Sequence, residues 1–476
     1  QLVDAKAKWI MPGLIDAHIH FFQSGGLYTR PDALDLRKFY SYEKDQQWLK
    51  DNREDLLRRY LACGITTVTD VGGPMSNFDM RKYCNETDVA PNAFVTGPLI
   101  STYQPPNLDK QDPPIIKVNS DSEARALVQK QLPYKPDFIK IWYIVGRGSS
   151  AENTLSIVSA AIDESHKHNL KACVHATEYN TAKLAVQAGC DILVHSINDK
   201  EIDKSLIQLL KEKNIAYIPT LLVHSKYTEA FSQQHRLTLH DFRYANPFML
   251  GTLFDLQHLP TKTKDIGFDY KELRTRKKLP SSTDTIMQKN LKLLIDANIN
   301  VASGTDAGNI GTLHASSYMA ELQQMRLSGI TNAQILKAST ISAARGFGQE
   351  KRLGSIEKGK VADLLILNKN PLDSLEYLDD LFLLIHRGKM INPDTLIKIS
   401  PATLVQQQLN AYNARNVDAF LEPYSDSVEI YNTSNQLIIK GKMQMREKYA
   451  GVFEKIKNLH CELASRIIKS NIVIDH

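Results

Sequence analysis

Between residues 10 and 310, short apolar segments rich in β-branched residues alternate with longer stretches of helical period. Parallel sheets built from βα units produce this pattern. Eight such segments can be read: LIDAHIHF, GITTVTDVG, PNAFVTGPLI, PDFIKIWYIV, LKACVHA, CDILVHS, IAYIPTLLV and NINVASGTDAG. The stretches between them, among them REDLLRRYLACG, DSEARALVQKQL, TLSIVSAAIDESHKHNL, YNTAKLAVQAG, DKSLIQLLKEKN and TIMQKNLKLLIDAN, read as helices, several closing on a glycine or asparagine. Eight strands with crossover helices predict an α/β chain folded as a (β/α)8 TIM barrel, whose chemistry sits at the carboxyl ends of the strands. At 476 residues the chain exceeds one barrel, so appended units are expected.

The strand ends carry unusual residues. His18 and His20 lie on the first strand, Lys140 in the fourth, His175 on the fifth, His195 on the sixth and Asp306 on the eighth. Alternate side chains of a strand share a face, so His18 and His20, flanking Ile19, project together. One strand-end histidine is ordinarily a satisfied core residue. Two side by side, joined by two more from mid-sheet strands and an aspartate on the same rim, point to metal binding instead. Neutral imidazole and carboxylate suit zinc and similar divalent ions, with positions left for water. A metal-bound hydroxide is nucleophilic at neutral pH, and the metal polarises a substrate carbonyl. For Lys140 the plainer reading is a snorkelling side chain at a strand edge, and for Asp306 a turn residue before Ala307 and Gly308.

Other features narrow the function. The net charge of +5 is spread along the chain, with no Lys/Arg block interleaved with aromatics, so no nucleic-acid partner is expected. No apolar run is long enough for a membrane-spanning helix, and the composition is ordinary for a globular protein. Five scattered cysteines form no CxxC spacing, and Cys173 and Cys190 read as core residues. No Ser-His-Asp arrangement, strand-borne GxGxxG or GxxxxGKS cradle is legible. The chain opens at Gln1 without methionine, so its compartment, cytoplasmic or beyond a membrane after loss of a leader, is not readable.

A long connection, roughly residues 225–283, follows the seventh strand and is expected to act as a lid or substrate wall. His224 and His314, near predicted strand ends, could touch substrate, and Tyr227 could donate to a carbonyl oxygen. His166 and His168 fall on a helix before the fifth strand and read as solvent-facing. Beyond the barrel, TNAQILKASTISAARGFG reads as a helix, and LGSIEKGKVADLLILNKNPL and LFLLIHRGKMI as strands of a small flanking β-sandwich unit. From about Pro401 the texture changes to a separate α+β module.

The phrases PGLIDAHIH, DFIKI, VHATEYNTAKLAVQAGCDILVHS, SGTDAGNIGTLHASSYMAELQQM and LGSIEKGKVADLLIL, in this order, resemble the amidohydrolase superfamily, in its Xaa-Pro dipeptidase-like and imidazolonepropionase-like branch. The resemblance implies a barrel over 10–347 and a β appendage from 1–9 and 348–400, incomplete at its N-terminal side. It implies a binuclear centre: His18, His20 and Asp306 on one divalent ion, His175 and His195 on the other, both most simply zinc, bridged by a carboxylated Lys140. The imidazolonepropionase-like enzymes lack that lysine and use one ion, so Lys140 decides between one metal and two. Asp306 would also take the proton of the attacking water and pass it to the leaving nitrogen. Trp142, soon after the lysine, departs from the pattern. The expected substrate is a small amide such as a dipeptide or N-acyl amino acid, or a cyclic amide. The alternatives are a deaminase acting on a ring C–N bond and a non-catalytic ligand carrier. Residues 401–476 resemble the opening of the nuclear-transport-factor-2-like, or ketosteroid-isomerase-like, cone fold, a module for interaction or homo-oligomer contact.

Overall fold

The computed structural model describes residues 4–146, 148–260 and 281–476. The core is a parallel-strand α/β assembly consistent with a TIM barrel. In chain order, β1 (Trp9–Pro12) belongs to a flanking sheet, and the parallel strands are β2 (Leu14–Ile19), β3 (Ile65–Asp70), β4 (Asn92–Val95), β5 (Leu99–Ser101), β6 (Ile115–Lys117), β7 (Ile139–Trp142), β8 (Ala172–His175), β9 (Ile192–Val194), β10 (Ala216–Ile218) and β11 (Asn300–Val301). One parallel sheet runs β2-β3-β4 and a second, of seven strands, runs β11-β10-β9-β8-β7-β5-β6.

A few backbone hydrogen bonds also link the two sheets. Ala17 donates to Ser303 at 3.0 Å and His20 to Ala307 at 2.8 Å, while Asp306 donates to His18 at 2.7 Å, tying β2 to the extension of β11. Likewise Asp137, just before β7, donates to Val95 at 3.0 Å.

The third predicted strand, PNAFVTGPLI, is thus divided. It breaks at Thr96–Pro98, where the buried Gln131 side chain accepts from the Gly97 amide (3.0 Å) and donates to the Pro98 carbonyl (3.1 Å), taking the place of ladder bonds. Its first half pairs with β3 and its second with β7. The short β6 at the sheet edge falls in what reads as a loop. The seventh segment is strand only over Ala216–Ile218, and its remainder enters the helix Leu222–Ser232.

Helices cover the strands. Tyr42–Ala62, capped where Ser41 accepts from the Lys44 amide, begins a full three turns before its apolar half declares it. The stretch after the barrel is two helices, Asn332–Ala338 and Ile341–Gly346, rather than one. The flanking unit is a single antiparallel sheet, where a sandwich was expected: β1 pairs with β12 (Leu364–Leu367), which pairs with β13 (Leu381–His386) and then β14 (Lys389–Ile391). Met11, Leu365, Leu367 and Leu384 carry this sheet into the main apolar core. Gly64, in the left-handed region at φ +73°, leaves Leu365 the room to pack, since a Cβ would come within 2.8 Å of it.

The tail holds helices Pro401–Asn413, Val417–Leu421 and Gly441–Lys455 and two separate hairpins, β15 (Glu429–Tyr431) with β16 (Leu437–Lys440) and β17 (Arg466–Lys469) with β18 (Ile472–Asp475). Its Ala411, Phe420 and Phe453 share an apolar core with Phe242, Leu250 and Phe254 of the long connection and with Leu27, Leu34 and Leu36. Of that connection, residues 261–280 lie outside the described part. No helix among the described residues is long and apolar enough to cross a membrane.

Candidate metal centre

The strand periodicity delivers His18 and His20 to one side, and their rings meet edge to face at 5.3 Å. The His18 ring is 4.8 Å from that of His195, which is 4.3 Å from that of His175. Asp306 closes the group: its Oδ1 lies 3.4 Å from His18 Nε2 and 3.2 Å from His20 Nε2, and its Oδ2 lies 3.9 Å from His195 Nδ1. One ligand atom from each of His18, His20 and Asp306 fits within 4.8 Å of the others. Lys140 is buried next to them, 1% exposed.

The donor set fits a cation. His20 Nδ1 is 2.7 Å from the Gly72 carbonyl, which can only accept, so Nδ1 carries a proton and Nε2 is the nitrogen turned toward Asp306. Nε2 and Oδ1 stand 3.2 Å apart, a pair of donor atoms that a shared cation would satisfy. Both ring nitrogens of His18, Oδ1 of Asp306 and Nζ of Lys140 are buried and lack a hydrogen-bond partner among the described residues. Such atoms are costly to bury unless a ligand takes them up. Burial, reinforced by the cationic groups packed around them, holds His18, His175 and His195 well below the usual histidine value, keeping them as neutral ligands. Burial also lowers Lys140, favouring the neutral amine.

The backbone is bent to present these groups. His195 (φ 76°), Thr220 (φ 44°) and Asp306 (φ 59°) all adopt the left-handed region, the strain that accumulates where neighbours over-determine a site. Thr220 Oγ1 lies 2.8 Å from His195 Nδ1 and orients the ring. Asp306 is placed through Thr305, whose amide and hydroxyl both donate to the buried Asp16, at 3.0 and 2.7 Å. Burial pushes the Asp16 carboxyl up to about 7. Gly304 lies so close to His18 that a Cβ there would stand 2.8 Å from the histidine Cβ.

Sequence reasoning missed Asp16 and a second group at the mouth. Arg30 forms a two-pronged pair with Asp32 and donates to Asn309 Oδ1 at 2.5 Å. Tyr227 donates to the same oxygen at 2.8 Å, and Asn309 Nδ2 to the Asp306 carbonyl at 3.1 Å, so the tyrosine reaches Asp306 through one asparagine. An acid interrupting the apolar run LIDAHI was the available signal for Asp16, whereas Arg30 and Asn309 sit in loops without pattern.

Two weaker candidates have other occupations. His224 lies on the helix Leu222–Ser232, not at a strand end, and its Nδ1 pairs with Asp284 at 3.1 Å. His314 has both nitrogens engaged, Nδ1 with the Tyr60 hydroxyl and Nε2 with the Gln23 carbonyl, each at 2.7 Å, so its ring has no donor left for a substrate. His166 and His168 are exposed, and Cys173 and Cys190 are buried.

Residues 9–391 match the Amidohydrolase family. The chain belongs to that family. It is a hydrolase acting on carbon–nitrogen bonds, and metal binding is typical of its kind. Among curated relatives, the imidazolonepropionase of Geobacillus kaustophilus (strain HTA426) is 22% identical over 404 residues, covering 77% of this chain and 76% of that protein. Among solved structures, a putative prolidase from Bifidobacterium longum superposes with a TM-score of 0.57 at 24% identity, over 82% of each chain. A Xaa-Pro dipeptidase with bound methionine in its active site gives a TM-score of 0.60 at 20% identity, over 82% of this chain and 90% of that one. Both structures share the fold of this amidohydrolase.

Proposed function

We propose that the two sheets close as one (β/α)8 barrel and that this amidohydrolase hydrolyses the amide bond of a small substrate, a dipeptide or an N-acyl amino acid. The observation that carries the reading is the convergence of His18, His20, His195 and Asp306 on one buried point, with unpartnered lone pairs and with His175 and Lys140 alongside.

His18, His20 and Asp306 would hold one divalent ion, most simply zinc, and His175 and His195 a second, with Lys140 carboxylated between them. The neutral amine that burial favours in Lys140 is the form able to take up carbon dioxide, and an ammonium would repel the ions. When bound, such ions lower the pKa of water and polarise a carbonyl. Asp306 accepts the proton of the attacking water and delivers it to the leaving nitrogen. Asp16, acting through Thr305, keeps that carboxylate on the histidine side. The Tyr227–Asn309 link places a phenol at the mouth, where it can turn to a substrate oxygen.

Residues 1–9 with 348–400 serve as the flanking unit, 10–347 as the hydrolase barrel and 401–476 as a nuclear-transport-factor-2-like module. The exposed isoleucines of the last hairpin, Ile467, Ile468, Ile472 and Ile474, support a contact role for that module between copies of the chain.

The test is a panel of dipeptides and N-acyl amino acids offered to zinc-loaded protein, with elemental analysis of the ions retained. Turnover with two ions per chain, falling to one in Lys140→Met, is expected. One ion in the wild type ends the bridged centre, and turnover by Asp306→Asn at the wild-type rate ends the assignment of the proton carrier.

A further inference from the structure

Trp142 is two residues beyond Lys140 on β7, so it shares the lysine's face and stands one step nearer the rim. In the sheet it lies directly between Ser101 on β5 and His175 on β8. Its ring meets that of His175 edge-on at 5.9 Å and that of Tyr103 at 6.2 Å. Tyr103 follows Ser101 by two positions and is 44% exposed. Three aromatic rings thus stand side by side on three adjacent strand ends, beginning at a metal-ligand candidate and ending in solvent.

This row is rigid. The Ser101 hydroxyl donates to the Trp142 carbonyl at 3.1 Å and the Thr102 hydroxyl to the Ile144 carbonyl at 3.0 Å, locking the end of β7 to the end of β5. Behind it, Trp142 packs on the apolar cluster of Tyr42, Leu99, Leu108 and Ile115. Across the mouth the surroundings are polar, with Arg30, Asp32, Asn309 and Tyr227 bonded to one another. The mouth therefore has an aromatic side and a polar side. Arg30 is matched by Asp32, so the polar side presents no unbalanced charge, and discrimination falls to the aromatic one.

We infer that Tyr103 and Trp142 form the specificity wall of this hydrolase and select substrates that carry a flat aromatic group next to the scissile amide. The inference rests on the proposed amide hydrolysis and names the substrate class for that site. A ring lying against Trp142 would exchange water for an aromatic edge or face while its amide reached past His175 to the centre. Fixed aromatic surfaces do this without the ordering cost of mobile side chains.

The experiment compares four substrates, N-acetyl- and N-benzoyl-alanine and N-acetyl- and N-benzoyl-phenylalanine, on zinc-loaded wild type, Trp142→Ala, Trp142→Phe and Tyr103→Ala. At least one aromatic member is expected to exceed N-acetyl-alanine in kcat/KM by about tenfold, the size of a favourable aromatic contact plus its buried area. Trp142→Ala should cut that preference to about twofold, mainly through KM, and Trp142→Phe should restore most of it. An aromatic preference absent from the wild type, or a Trp142→Ala loss equal for all four substrates, overturns the inference; the second result would make Trp142 a prop for His175. Binding separates the two layers of the argument. Saturable quenching of Trp142 emission by N-benzoyl-alanine, lost in Trp142→Phe, is expected even if no member is hydrolysed, and its absence also overturns the wall. Failure of hydrolysis alone removes the proposed reaction and leaves the wall standing.

Discussion

At the barrel mouth, His18, Lys140 and Asp306 hold buried polar atoms that bond to nothing among the described residues, whereas the hairpin of β17 and β18 holds Ile467, Ile468, Ile472 and Ile474 more than half exposed. Each region sets a group in the environment its chemistry disfavours. The difference lies in the frame. At the mouth the Asp16–Thr305 pair places Asp306, and Gly72 and Thr220 fix the neighbouring rings of His20 and His195, so relaxation is blocked and the cost is available to whatever binds. In the hairpin a two-stranded ribbon at the surface does the holding, and nothing beyond solvation is at stake.

The sharpest way to break this contrast is Asp306→Asn. Hydrolysis should fall by about 10²- to 10⁴-fold, the usual worth of a positioned acid-base group. Metal-free Asp306→Asn should nevertheless melt above metal-free wild type, because a buried carboxylate with an unsatisfied oxygen gives way to a neutral amide. A variant less stable than the wild type in the metal-free state would mean that the mouth is not under tension.

Chelation probes the same tension from the other side. Ions present at about 100 times their dissociation constant stabilise by about 2.7 kcal/mol per site, so a chelator should lower the melting temperature visibly in differential scanning calorimetry. No shift on chelation would leave the donor set without an occupant.

Acid tests the two regions together. Burial lowers His314, under the mouth, and His235, in the connection that packs on the tail, to about 4 each, against 6.5 in the unfolded chain. The unfolded chain then binds more protons between these values, so the stabilisation from neutral burial is complete above about 6.5 and is lost as pH falls toward 4. Between pH 7 and pH 5 each group would account for about 2 kcal/mol of that loss. Urea titrations of metal-free protein at pH 7 and pH 5 should show it, with a smaller drop in His314→Gln; an equal drop in that variant would clear the histidine of any share.

The smallest effect belongs to the hairpin. Ile468→Lys should change the unfolding free energy by less than about 0.5 kcal/mol, as exposed substitutions do. Light scattering of the same variant reads whether the exposed isoleucines join copies of the chain: a wild-type dimer turned monomer supports that, and an unchanged mass denies it.

Much of the mouth could be read from the chain because period-two alternation is local. His18 and His20 announce each other, His175 and His195 each terminate an apolar run, and Asp306 follows the eighth segment within SGTDAG. What could not be read depends on partners far away. Asp16 acquires its role from Thr305, 289 residues later, and Arg30 acquires its own from Asn309, 279 residues later. The division of the third strand needed Gln131, whose amide substitutes for a ladder. The helix Tyr42–Ala62 was half hidden because its first turns, YEKDQQWLKDN, show little apolar period. The partners of His314 were not legible because a residue near a strand end can face Tyr60 and Gln23 as readily as a substrate.

The shared core of Leu27, Leu34 and Leu36 with Ala411 and Phe420 has a consequence for biosynthesis. The loop that leaves His20 finds its packing in residues made about two hundred to four hundred positions later, from Phe242 and Leu250 to Phe420, so a chain still on the ribosome offers its first histidines on an unsupported loop. Loading of the centre would then be a late event, coupled to arrival of the long connection and the elements after it.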